Sequence, residues 1–288
     1  MFSKRVLLAA ALALAAAACK PAPEVTPAMW EVTGPAGQRA WLFGTIHALP
    51  DPVDWRSDKV EAALAASDRL VLEVAKINDG AALAGTFARL GQSPGLPPLT
   101  ARVPPANRPA LERVLADLGL TGKLDGLETW AAALTLQQGI SAKSGLDSSN
   151  GVDRALVRQY RKAVGEFEGA EAQLGIFDRL AEDDQVELLL AVLRGVKAPL
   201  DDARRMEQAW ATGDMAAITA ETNRDFLTDP ELRAALLTAR NRAWTERLRQ
   251  LMAAGEQPFV AVGAAHLAGP EGVPALLAAQ GYTVRRVQ

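Results

Sequence analysis

Strand-forming apolar runs stand at the two ends of this chain with a long helical stretch between them, and that arrangement limits its fold most. Near the start, Trp30-Glu-Val-Thr33 and Gln38-Arg-Ala-Trp-Leu-Phe43 flank Gly34-Pro-Ala-Gly37, the pattern of a β-hairpin with a four-residue loop. A helix over about 57–66 follows, with Ser57 as its N-cap, and then Arg69-Leu-Val-Leu-Glu-Val-Ala75, apolar enough to be a buried strand. Strand, helix and strand at this spacing predict a right-handed parallel crossover. From Gly80 to Leu251 the pattern is helical, with helices predicted over 81–91, 107–119, 127–142, 151–163, 171–195, 200–211, 214–226 and 230–254 and one short strand over 163–168. The end returns to strand (258–262), helix (271–280) and strand (282–287). The expected fold is therefore α/β: a central mixed, largely parallel sheet built from the N- and C-terminal segments of one domain, 29–288, with a large helical insertion over about 80–254.

The first residues read as a targeting signal. Lys4 and Arg5 precede an apolar run from Val6 to Ala18, too short to span a bilayer as a helix, and Ala16-Ala17-Ala18 stands before the chain's single cysteine, Cys19. A cysteine after small residues resembles a lipobox, in which residues 1–18 are removed and the thiol carries lipid; an ordinary signal peptide is the alternative. The Pro-rich stretch that follows makes 19–28 a tether. Export across the inner membrane is expected, with a lipid anchor in the envelope; Lys20 points to the outer membrane, facing the periplasm. One cysteine allows no internal disulfide. A net charge of −3 with no cationic block gives no footing for nucleic acid.

Only two histidines occur, and both close the same pattern, Gly44-Thr-Ile-His47 and Gly263-Ala-Ala-His266, directly after an apolar strand. A glycine at a strand end lets the backbone turn sharply or approach a ligand closely. Each histidine then lies outside the carboxyl end of its strand, where open α/β sheets bind ligands. Glu73, in Leu70-Val-Leu-Glu-Val74, is the third candidate, because a carboxylate in so apolar a strand is costly unless it is paired or bound to metal. Two imidazoles and a carboxylate can hold a divalent metal such as zinc and activate water, or act without metal as general acid and base. The competing readings make both histidines packing residues and turn Glu73 to solvent. No serine-hydrolase elbow, P-loop or dinucleotide fingerprint occurs, and two histidines 219 residues apart cannot form a His-Glu-x-x-His helix.

These residues resemble the TraB/GumN family, which is similar to the Tiki metalloproteases and more distantly to the erythromycin-esterase and ChaN-like fold. The resemblance is carried by Trp41-Leu-Phe-Gly-Thr-Ile-His47, Leu72-Glu-Val74, Ser149-Asn-Gly-Val-Asp153, Glu166-Phe-Glu168 with Gln173, Arg240-Asn241 with Trp244, and Val260 to Gly269. It implies one cleft holding both Gly-x-x-His motifs and, by analogy, hydrolysis of a peptide or small-molecule substrate dependent on manganese, cobalt or a similar metal. His47, Glu73 and His266 would bind the metal or its water, and Arg240 or Asn241 would stabilise the oxyanion. Relatives assigned to haem binding or polysaccharide export imply the alternative, a non-catalytic envelope protein that binds metal, haem or polysaccharide. Phe167-Glu168-Gly169 departs from the usual Leu-Glu-Thr, so Glu168 either completes the site or sits on the surface. Asp153 is read first as a helix cap and second as a catalytic residue. Arg240 pairs with Glu73 or Glu168, orients a substrate carboxylate, or lies on a solvated face.

Overall fold

The computed structural model describes residues 25–196 and 199–288; the expected signal segment, Cys19 and the first part of the expected tether lie outside them. Six strands form one sheet: β1 (Met29–Thr33), β2 (Arg39–Thr45), β3 (Arg69–Leu72), β4 (Ala163–Glu166), β5 (Pro258–Gly263) and β6 (Thr283–Arg286), in the order β4-β3-β5-β2-β1-β6. β2, β3 and β4 run parallel to β5 or to its neighbour, while the hairpin strand β1 is antiparallel to both β2 and β6. The sheet is thus mixed and largely parallel; five of its strands come from the chain ends, and the edge strand β4 is contributed by the insertion, which the expected sheet of terminal segments alone did not include. β2 and β3 are parallel as the crossover pattern predicts, but they are not neighbours, because β5 from the far end of the chain lies between them.

All six residues of β5 are buried. Side chains alternate across a strand, so β5 must find apolar cover on both faces. On one face Phe259 and Ala261 pack with Trp41, Phe43, Leu70 and Leu72 under the helices Asp58–Ala66, Val152–Gln159 and Pro199–Ala211. On the other, Val260 and Val262 pack with Leu42 and Val71 beneath Trp244, Leu248 and Leu277. The helical insertion also has a core of its own around Trp130, Leu136 and Leu189, away from the sheet.

The helix expected over 171–195 is broken into Gly169–Asp178 and Glu182–Gly195, where Ala181 caps the second part in an extended conformation. Ser57 is the N-cap expected of it, its Oγ accepting from Val60 N. The last residues of the expected tether, 25–28, pack against the domain. Thr26 N donates to Ala211 O, Gln288 donates to Pro27 O, and Pro27 and Ala28 are buried, so residues 25–28 belong to the packed body.

Trp210, fully buried, reaches from the insertion to the end of β2 and donates Nε1 to Gly44 O at 2.9 Å. Removing one partner of a buried hydrogen bond costs about 1–3 kcal/mol. Trp210→Phe is therefore expected to lower unfolding stability by about that amount in a urea titration, with the slope unchanged.

Candidate functional site

The site lies at the carboxyl ends of β2, β5 and β3. His47 follows β2 by two residues, Glu73 directly follows β3, and His266 sits on the 3-10 turn Ala264–Leu267 that leaves β5. A Cβ built on Gly263 would lie 3.3 Å from His47 Nε2, 3.4 Å from Glu73 Oε1 and 3.7 Å from His266 Cδ2. The three candidates therefore meet at one point, and a side chain at position 263 would fill it. Gly44 serves a different contact: its Cβ would meet Ala264 Cβ at 3.1 Å. Neither glycine has a positive φ. Their role is space rather than an unusual backbone turn.

His47 is backed by a carboxylate. Its Nδ1 lies 2.8 Å from Asp153 Oδ2, and Asp153 Oδ1 accepts from Thr45 Oγ1 at 2.6 Å. The carboxylate fixes the proton on Nδ1 and turns Nε2 toward Glu73. Asp153 is the second residue of the helix Val152–Gln159, whose N-cap is Gly151. The cap reading of Asp153 is thus overturned: its carboxylate turns away from the helix end to the β2 loop. The Asp153 charge raises the imidazole to about 9, helped by its hydrogen bond and by Glu73. The His47 side chain is 61% exposed, so solvent screens part of that attraction.

Glu73 is held on both oxygens. Oε1 accepts from Gly263 N at 2.9 Å, and Oε2 accepts from Gln173 Nε2 and Arg240 Nη2, each at 2.8 Å. Burial opposes its charge, but the fields of His266 (in the acid range where it is protonated), His47 and Arg240 and the Gly263 N–H outweigh burial and lower it to about 2. Arg240 also donates Nε and Nη2 to Glu168, and Nη1 to Leu236 O and His266 Nε2 at 3.2 Å. Glu168 accepts in addition from Trp244 Nε1. The guanidinium lies over the Trp244 ring, 4.6 Å from its centroid, as an i,i+4 pair on one helix face allows. That helix, Ala239–Ala253, is entered through a π-helical turn over Ala234–Thr238, a form common near functional sites. His266 Nδ1 lies 2.6 Å from Asn241 Oδ1, and burial pushes this imidazole down to about 3, so it is neutral at pH 7.

A cavity of about 180 Å³ opens beside these groups, lined by His47, Glu73, Asp153 and Gln173 and by the apolar Leu72, Val74 and Ile77.

The sequence model of the TraB/PrgY/gumN family matches residues 28–286. The chain belongs to this family. It is also 24% identical over 267 residues to an uncharacterized protein of Treponema pallidum (strain Nichols), covering 85% of this chain and 78% of that one. No solved structure matches it.

Within this family member the expected residues have separated roles. Arg240 pairs with Glu73 and Glu168 together, which settles its three readings, and Glu168 belongs to the buried network rather than the surface. A guanidinium has five N–H donors, and Arg240 uses all of them on protein acceptors. Asn241 is 0% exposed and gives its amide to Glu271 O. Both residues thus direct these donors to protein acceptors. Asp153 and Thr45 are brought to His47 by packing: Asp153 is buried in its helix with Val152 and Leu156, which local spacing does not reveal. Gln173 stood only within a family block, and its contact with Glu73 comes from packing.

The pKa shifts set the acid response. A group whose pKa falls on folding adds stability that is complete above its unfolded value and lost as pH drops through the folded one. For His266 that window runs from 6.5 down to about 3, and for Glu73 from 4.5 to about 2. Melting temperature is expected to fall steadily as pH drops below 6.5. His266→Gln should flatten the part of that slope above 4.5 in calorimetric scans.

Proposed function

We propose that this TraB/PrgY/gumN protein is an exported, lipid-anchored hydrolase of peptide-type bonds whose reacting groups are Glu73 and the His47–Asp153 pair. The observation that carries this reading is the convergence of His47 Nε2 and Glu73 Oε1 on one point beside a cavity. An ionised carboxylate and a protonated imidazole facing one position are suited to opposite proton transfers.

The divalent metal implied by the family resemblance was expected on His47, Glu73 and His266. That three-donor set does not fit the residues present. His266 Nε2 and Glu73 Oε2 both face the Arg240 guanidinium, whose positive charge stands where an ion bridging them would have to lie. Among the described residues no group of three or more His, Cys, Asp and Glu is arranged to hold a metal. Only His47 Nε2 and the remaining lone pair of Glu73 Oε1 are open to a ligand, fewer than the three protein donors usual in catalytic zinc sites. The reaction accordingly runs on the chain's own groups.

A water between Glu73 Oε1 and the substrate carbonyl gives its proton to Glu73 as its oxygen attacks the carbonyl carbon. The developing oxyanion faces the His47 Nε2–H. His47 then protonates the leaving nitrogen as the carbon–nitrogen bond breaks, and the proton on Glu73 returns the imidazole to its charged form through solvent. Asp153 stabilises that charged form throughout, and the Gln173 amide helps fix Glu73. Leu72, Val74 and Ile77 limit water around the reacting bond.

A mixed quenched-fluorescent peptide library tests the reading. Proton-transfer groups contribute about 10²–10⁴ in rate, so His47→Ala and Glu73→Gln are each expected to reduce cleavage at least a hundredfold. Activity should decline on the alkaline side of neutrality, as His47, raised toward about 9 by Asp153, loses its proton. Activity lost on chelation and restored by manganese, cobalt or zinc would replace this scheme with metal chemistry at the two open donors. Metabolic labelling with a fatty acid tests the anchor: the wild-type protein should take up label and Cys19→Ser should not.

A further inference from the structure

His266 closes the second Gly-x-x-His motif, yet it has no ring nitrogen free for chemistry. The hydrogen bonds around it fix its protonation pattern without ambiguity. Asn241 gives its Nδ2 to the carbonyl of Glu271 at 2.8 Å, and a carbonyl only accepts, so the other amide atom facing His266 is the oxygen. Asn241 Oδ1 also only accepts, so His266 Nδ1, 2.6 Å away, carries a proton. On the other side of the ring stands Arg240 Nη1, which only donates, at 3.2 Å from Nε2. Nε2 is therefore the bare lone pair. The ring is wedged against Trp244, with centroids 4.4 Å apart, and is 7% exposed.

We propose that Asn241 and His266 are positioning residues: the chain Glu271 O, Asn241, His266 and Arg240 sets the guanidinium so that it grips Glu73 by Oε2 and leaves Oε1 turned toward His47. Each link is a directed hydrogen bond whose polarity is forced by the one before it, starting from a backbone carbonyl that cannot reverse. Arg240 is the element that needs setting. Its long side chain must meet Glu168, Glu73 and Leu236 O at once, and a small rotation would exchange the Glu73 contact for the bidentate grip on Glu168 alone. The lone pair of His266 is the acceptor on the side of the guanidinium away from Glu168. It balances that pull.

Catalytic importance of His266 thus does not require it to transfer a proton or bind metal. The distinction is testable because glutamine can copy one role and not the other. A glutamine amide supplies one donor for Asn241 and one acceptor for Arg240, but it neither shuttles protons nor replaces an imidazole at a metal.

The inference rests on the hydrolase reading for its kinetic arm only. A hydrogen bond to a charged group is worth about 1.5–3 kcal/mol, which converts to roughly 10- to 150-fold in rate. On the peptide library, His266→Ala and Asn241→Ala are expected to lower kcat in that range with KM nearly unchanged, and His266→Gln to recover most of the loss. A His266→Gln variant as inactive as His266→Ala, with wild-type melting temperature, would overturn the proposal. The second arm needs no turnover. The chain has two histidines, so nitrogen-15 imidazole spectra of His47→Ala report His266 alone. A neutral ring protonated on Nδ1 is expected near pH 7, lost or mixed in His47→Ala combined with Asn241→Ala. A ring protonated on Nε2, or one charged at that pH, would also overturn it. If no peptide is cleaved but the Nδ1–H form is present, the hydrolase reading fails and the positioning chain stands.

Discussion

The placement of β5 between β2 and β3 is the constraint on which the rest of the structure depends. Each of its neighbours comes from the first quarter of the chain, yet the sheet is not continuous until the last tenth is in place. β5 is buried on both faces, so its apolar side chains join the core above the sheet to the core below it. The same insertion brings three carboxyl strand ends side by side, and His47, Glu73 and Gly263 stand on them. Contacts of such long sequence separation must overcome large loop-closure entropy before they repay it.

A second constraint follows from burying ionised groups where those strands end. Glu73 and Glu168 are withdrawn from water, which would be costly for either alone. Arg240 offsets that cost by reaching both, and its every N–H is matched. Buried ion pairs add little net stability over apolar packing, but removing one partner is severe. This network is better understood as fixing orientation than as holding the fold. Trp244 supports it from below, with its ring under the guanidinium and its N–H on Glu168. The insertion supports it from the side through Gln173, carried on the helix Gly169–Asp178.

Much of this was legible in the chain. The apolar runs ending in Gly-x-x-His announced two parallel strands with functional ends, because only a strand covered on both faces is apolar throughout. Glu73 was legible for the complementary reason, as an unscreened carboxylate in such a run. The i,i+4 spacing of Arg240 and Trp244 placed them on one helix face. Asp153 was harder: an acidic residue at the start of a helix fits capping as well as a role at a distance, and sequence spacing does not tell which way its carboxylate turns. The donor set open to a metal is hard to read from sequence for a similar reason. Residue types show what could ligate, but not that Arg240, 167 residues from Glu73 and 26 from His266, contacts both.

The sequence by itself determined the fold class, the strands that carry the site and the two histidines and one glutamate at its centre, since periodicity and local burial cost are properties of short segments. Only the tertiary structure decided which partners each of them has. His47 faces the cavity with a carboxylate behind it, while His266, in an identical motif, is buried with both nitrogens engaged. The two histidines differ in their partners, and partners are set by packing between distant segments, which no local pattern records.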